Sequence, residues 1–208
     1  MIYSHSGNRR NEIEGRLSLF FLVLASCFFV GCSRPSVIYD LSRMNYTFFN
    51  QDNSKIHFPS AYKGKIAVLS LIYTHCPDVC PLTTLNMQHL QDTLSKMGVK
   101  DVQFVTMTFD PDRDTPSVLR DYAVIRGINF SGWDFLTGTK ANTDSVLYSI
   151  DFRYFPGDSS ITKEGGLIYY ITHTDKSYLM DRYGRIRGTY SGSQLDTKEI
   201  VKDIKALE

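Results

Sequence analysis

Two runs of apolar residues dominate the chain. Lys65–Tyr73 (KIAVLSLIY) and Asp101–Phe109 (DVQFVTMTF) are unbroken enough to predict strands covered on both faces. Between them, Thr83–Met97 carries apolar residues at Leu85, Leu90, Leu94 and Met97, a helical spacing closed by Gly98. Asp114-Thr115-Pro116 opens a second helix, with Thr115 suited to the N-cap, Pro116 to the first turn and Gly127 past its end. A short strand at Trp133–Leu136 precedes a third helical stretch, Thr143–Ile150. Residues 156–166 (PGDSSITKEGG) are polar and turn-rich, and are expected to form a mobile loop. Leu167–Thr172, Tyr178–Asp181 and Ile186–Tyr190 alternate as antiparallel strands do, with Tyr183-Gly184 in a turn. An amphipathic segment, Thr197–Leu207, closes the sequence. The order β-α-β-α-β-α, then hairpin and helix, predicts one α/β sandwich without repeats or an internal linker.

The N-terminal region has a different pattern. Residues 17–33 are uncharged and follow Arg9, Arg10 and Arg16, the layout of a secretory leader. Phe29-Val30-Gly31-Cys32 resembles the lipobox of bacterial lipoproteins, which would make Cys32 the lipidated first residue; a retained membrane-anchor helix is the alternative. The expected division is 1–31 as leader or anchor, 32–45 as tether and 46–208 as the folded domain. The protein is thus expected to be exported and membrane-attached, facing the periplasm or cell exterior. With 23 Lys+Arg against 22 Asp+Glu over 208 residues, nothing argues for nucleic-acid binding. Removing residues 1–31 leaves acidic and basic groups balanced. A neutral surface and a single site are compatible with a monomer.

That removal also isolates one thiol pair, Cys76 and Cys80, in YTHCPDVCPLTT. The segment leaves a buried strand and enters a helix, where open α/β sheets place their sites and where amide donors and the helix dipole favour thiolate. Within a helical turn the i, i+4 spacing sets both sulfurs on one face, able to close a disulfide or grip one soft metal ion. A pair of buried packing cysteines or a stabilising disulfide is the plainer reading. So short a loop is a poor staple, however. Two thiolates with one imidazole suit copper, whereas structural zinc and iron–sulfur clusters want more protein ligands. Among the histidines, His57 and His89 read as surface residues. His75 points away from Cys76 if the strand pattern persists, and His173 ends the strand LIYYIT within reach of a loop.

YTHCPDVCP (73–81), TFDPDRDTPSVLRDYA (108–123) and ITHTDKSYLMDRYGRIRG (171–188) resemble, in order and spacing, the signature segments of the Sco/SenC family. The resemblance implies a thioredoxin-like three-layer sandwich with a central mixed sheet and helices on both faces. It implies copper, Cu(I) or Cu(II), bound by Cys76, Cys80 and His173, with Asp110 near the copper as a possible outer-shell residue. Asp112, Arg113 and Asp114 would shape the loop and cap the second helix. The implied role is assembly of the dinuclear copper site of cytochrome c oxidase. The partner would be a copper-accepting subunit of a respiratory oxidase or another copper chaperone. A thiol–disulfide oxidoreductase using Cys76 and Cys80 as its redox-active pair is the competing activity. Two departures from the family pattern stand out: Thr174 where Ser is common, and the sequence of residues 156–166.

Overall fold

The computed structural model describes residues 34–161 and 167–208. The proposed leader, Cys32 and residues 162–166 lie outside the described residues. In chain order the elements are β1 (Tyr39–Asp40), β2 (Tyr46–Phe49), β3 (Lys55–Phe58), β4 (Ile66–Ile72), α1 (Val79–Lys96), β5 (Val102–Thr108), α2 (Pro116–Ile125), β6 (Trp133–Gly138) and α3 (Lys140–Ser149). They continue with β7 (Tyr154–Ile161), β8 (Leu167–His173), β9 (Ser177–Met180), β10 (Arg185–Tyr190) and α4 (Thr197–Leu207).

Eight strands form one mixed sheet in the order β1-β10-β9-β4-β5-β6-β2-β3. The apolar runs read from the sequence become its centre: β4 and β5 pair in parallel from Ile66↔Val102 to Ile72↔Thr108. All seven β4 residues are buried, so both faces of the sheet are covered. β5 pairs with β6 in parallel, while β9 runs antiparallel to β4. This is an α/β fold of thioredoxin-like kind, as the resemblance implied. Helix entry follows side-chain chemistry, with the Thr115 hydroxyl accepting from the Val118 N–H at 3.4 Å and Thr139 doing the same for Asn142 at 3.2 Å. The second cap starts α3 at Lys140, one turn before the expected Thr143.

Two further boundaries differ from the sequence reading. α1 begins at Val79 rather than Thr83, which brings Cys80 into its first turn; Pro81 is tolerated there because the amides of a first turn have no helical acceptor. Residues 154–161 are a strand, not a loop, and pair antiparallel with β8 in a separate two-stranded sheet. Exposure of this ribbon explains the misleading polarity, since Phe155–Ile161 face solvent and have no core face to encode. The turn-like Pro156-Gly157-Asp158 is absorbed by an irregularity between Pro156 and Ser159. Near the start of the described chain, Tyr39 and Asp40 pair with Ile186 and Arg185, and the adjoining Leu41 is fully buried.

Candidate metal centre

The site lies where β4 gives way to α1, at the carboxyl end of the parallel strands. Its base is Asp114, fully buried. One carboxylate oxygen accepts from the Thr74 N–H (3.0 Å) and the Thr108 hydroxyl (2.5 Å), and the other accepts from the Thr74 hydroxyl (2.5 Å). Burial raises its pKa against the pull of these bonds. Asp114 thus ties the residue before His75-Cys76 to the end of β5. Sequence reasoning assigned it only to shaping the loop and capping the helix.

Cys76 and Cys80 are both free thiols and both buried. The N-cap position of α1, Asp78, supplies no side-chain cap. The Cys76 sulfur fills part of that role, accepting the Cys80 N–H at 3.4 Å. The Cys76 thiol is held far below the ordinary thiol pKa: the Cys80 side chain bonds to it, His173 bonds to it, and the amides of Cys80 and Asp78 point at it, outweighing burial. Cys80 moves the opposite way, since its proton bonds to the Cys76 sulfur and burial and the neighbouring negative charge resist its ionisation.

His173, the last residue of β8, points back over this pair. Its Nδ1 lies 3.0 Å from the Thr174 carbonyl, which can only accept, so Nδ1 carries a proton and Nε2 is the atom facing the sulfurs. Nε2 is 3.8 Å from Cys80 Sγ. The imidazole sits in an aromatic seat, with ring centroids 4.9 Å from Phe109, 6.0 Å from Tyr73 edge-on and 6.0 Å from Phe152 nearly parallel. Burial opposes its positive charge, but the bonds to Cys76 and to the Thr174 carbonyl win and raise its pKa. The metal-free site therefore favours its negative charge on Cys76 and a proton on Cys80.

Cys76, Cys80 and His173 offer three ligand atoms all within 4.8 Å of one another. Donors about 2.0–2.3 Å from a shared ion stand roughly 3.5–4.5 Å apart, so only a small contraction is needed. Two sulfurs and one imidazole form a soft, three-donor set, too few for a structural zinc site. The other histidines among the described residues stay away. His57 lies on β3 beside the Thr47 hydroxyl, His89 is exposed on α1, and His75 is exposed and bonded to the Thr74 hydroxyl.

Asp110 is not in this cluster, and its bonds run elsewhere. Its two oxygens accept the Tyr169 hydroxyl at 2.7 and 2.8 Å, and Arg113 Nε sits 3.1 Å from one of them. The Arg113 guanidinium also lies over the Tyr169 ring, 3.7 Å from its centroid. Asp110 thus latches β8, which bears His173, to the segment between β5 and α2. A second tie joins the Ile171 N–H to the Tyr73 hydroxyl at 3.3 Å. Thr174 exchanges bonds with the Arg153 backbone at 2.8 and 3.1 Å, so the hydroxyl common to Ser and Thr is in use. Tyr169 escaped sequence reasoning because no local signal marks a tyrosine as the partner of a carboxylate 59 positions away.

The SCO1/SenC family model matches residues 39–208, spanning every element of this fold. The chain belongs to the SCO1/SenC family. It is 28% identical over 162 residues to the SCO1 protein homolog of Bacillus subtilis, covering 77% of this chain and 80% of that one. Among solved structures, a SCO1/SenC family lipoprotein from Bacillus anthracis superposes with TM-score 0.69 at 28% identity, over 84% of this chain and 99% of that chain. Bradyrhizobium japonicum ScoI with copper bound gives TM-score 0.64 at 24% identity, over 85% and 100%, and speaks for the fold. Among the described residues no helix is long and apolar enough to cross a membrane.

Proposed function

We propose that this SCO1/SenC chain is an exported, membrane-tethered copper metallochaperone. It would take up one copper ion through Cys76, Cys80 and His173 and pass it to the copper-accepting subunit of a respiratory oxidase, toward the dinuclear copper site. The observation that carries the reading is His173 Nε2, 3.8 Å from Cys80 Sγ and turned toward the sulfurs by the Nδ1 bond to Thr174. Two thiolates accommodate Cu(I), and the imidazole adds a donor that also suits Cu(II). His173 is half-buried and His75, Pro77 and Asp78 beside Cys76 are exposed, which favours hand-over, since an acceptor's thiolates can then replace the ligands one at a time. Export and tethering are supported by the charge pattern around residues 17–33 and Cys32, and by a relative described as a lipoprotein.

The test is an anaerobic copper titration of the reduced protein. One equivalent should bind to the wild type and be lost in Cys76→Ser and in Cys80→Ser. His173→Ala should weaken Cu(II) much more than Cu(I). Equal affinities for both ions in wild type and His173→Ala would remove the histidine from the site and the proposal with it.

A second reading, a thiol–disulfide reductase, draws support from the opposite displacement of the two thiols. The Cys76 thiolate would attack a partner's disulfide and release one partner thiolate. Cys80 would then lose its proton and attack the mixed disulfide, leaving Cys76–Cys80 oxidised and the partner reduced by two electrons. Such turnover should survive His173→Ala, whereas copper delivery should not.

A further inference from the structure

α1 and α4 lie side by side, and between them runs an open groove of about 440 Å³ lined by Thr93, Met97, Thr197, Lys198, Val201, Lys202 and Lys205. No acidic residue lines it. At 100° per residue, Lys198, Lys202, Lys205 and Val201 share an arc of about 100° on α4, while Glu199 and Asp203 lie outside it, about 60° and 100° beyond Lys202. Asp203 is further engaged as acceptor of the Tyr190 hydroxyl at 2.8 Å. None of the three lysines has a carboxylate within ion-pairing distance among the described residues. The floor is apolar, with Met97 45% exposed at the end of α1.

The same end of the molecule gathers more cations without an ion-pair partner among the described residues. The Gly64 N–H bonds to the Arg182 carbonyl and the Ile66 N–H to that of Asp101, which draws together the segments bearing Lys63, Lys65, Lys100 and Arg182. Lys96 ends α1 there and Tyr183 is 64% exposed. Asp101 is an exposed acid in this group, outnumbered by its basic neighbours. The near-balance of 23 Lys+Arg against 22 Asp+Glu thus conceals a basic pole. α1 rises about 1.5 Å per residue, so Thr93 and Met97 stand some 20–25 Å along the axis from Cys80.

From this juxtaposition we infer that the groove between α1 and α4, with its Lys198, Lys202 and Lys205 rim, docks on a membrane surface rich in anionic phospholipid. Unpaired lysines attract such headgroups, and an apolar floor beside them suits the upper acyl region, where lysine stems also lie comfortably. An acidic protein partner would match the groove's charge too, but the basic residues continue past the groove through Lys96, Lys100, Lys63, Lys65 and Arg182, the spread that contact with an extended anionic surface calls for. Docking by this end would turn the cysteine mouth away from the lipid, toward an acceptor's soluble domain. The inference does not depend on copper binding.

The test measures lysine acylation on the full chain reconstituted in phosphatidylcholine vesicles with or without phosphatidylglycerol. A water-soluble active ester is the reagent, and peptide mass spectrometry reads each lysine. Phosphatidylglycerol should slow Lys198, Lys202 and Lys205 by about fivefold or more, leave Lys55 on the far edge of the sheet unchanged, and lose its effect near ~0.5 M salt. The wild type should show the same slowing at Lys96, which ends α1 beside the groove, and in the K198Q/K202Q/K205Q variant that slowing should vanish while an unchanged Tm shows the variant folded. Equal acylation in the two vesicle types would overturn the inference. So would protection by poly-glutamate but not by phosphatidylglycerol, which would assign the face to an acidic protein.

Discussion

At the scale of single residues, the site rests on an unequal sharing of protons. The Cys76 sulfur collects donors from Cys80, His173 and the α1 amides and so stays ionised to unusually low pH, while Cys80 keeps its proton. In the reduced, metal-free protein, iodoacetamide should therefore label Cys76 at pH 5, where an ordinary thiol with a pKa of about 8.5 is almost wholly protonated. Cys80 should stay unlabelled; equal labelling, read by peptide mass spectrometry, would refute the assignment. Metal uptake must displace the Cys80 proton and compete with protonation of His173, so affinity should fall as pH is lowered, with little contribution from Cys76. The Tyr169 bond to Asp110 predicts a different effect. Tyr169→Phe removes a charge-assisted hydrogen bond of about 1.5–3 kcal/mol and should weaken Cu(II) binding severalfold while sparing Cu(I), which the cysteines hold. The cysteines were visible as a candidate pair because they follow a buried strand and enter a helix, but the shared helical turn is not found: only Cys80 lies in α1, and Cys76 precedes its N-cap, Asp78. His173 required the family resemblance, being 93 positions from Cys80 in sequence. Asp114 and Tyr169 were illegible as anchors, since their partners are brought near only by the completed sheet.

At the scale of elements, the contrast lies between the core strands and the β7–β8 ribbon. β4 and β5 announce themselves because burial on both faces demands an unbroken apolar run. The start of α1 was less visible. The sequence reading placed it at Thr83, whereas the helix includes Cys80 because the Cys76 sulfur, not a Ser, Thr, Asp or Asn side chain, satisfies one of its first amides. β7 escaped because an exposed ribbon needs no apolar face and carries turn residues in the middle of a strand. Its Gly157 is required by a close approach: a Cβ there would stand 2.9 Å from the Tyr170 carbonyl oxygen, backbone that cannot swing aside. Gly157→Ala should force β7 away from β8 and shift His173 with it. The expected result is weaker Cu(II) binding with global stability nearly unchanged, because the ribbon lies outside the eight-stranded sheet. A Tm lowered as much as by a core substitution would show that the ribbon is integral to the main fold.

At the scale of the whole molecule, the three ligands belong to two sheets that share no strand. Cys76 and Cys80 follow the centre of the eight-stranded sheet, while His173 ends a strand of the two-stranded one. Without metal, the ribbon is joined to the rest near one end only: Tyr154 to Asp144 and Lys140, Ile171 to Tyr73, Tyr169 to Asp110, and the aromatic seat around His173, while Phe155–Ile161 stay exposed. Regions with few ties and exposed backbone open more readily than buried strands. Amide hydrogens of β7 and β8 should therefore exchange faster than those of β4 and β5 in the metal-free protein. A metal held by all three ligands bridges the two sheets, and closing that bridge should slow exchange in the ribbon selectively. Binding also stabilises the folded state, by about 4 kcal/mol when free ligand stands at a thousand times Kd. His173→Ala separates the two effects. In that variant Cu(I) should still raise Tm through the thiolates, yet leave ribbon exchange at its metal-free rate. Slow ribbon exchange in the copper-loaded variant would mean that the sulfurs alone transmit order to β8, and that the imidazole is not what couples the sheets.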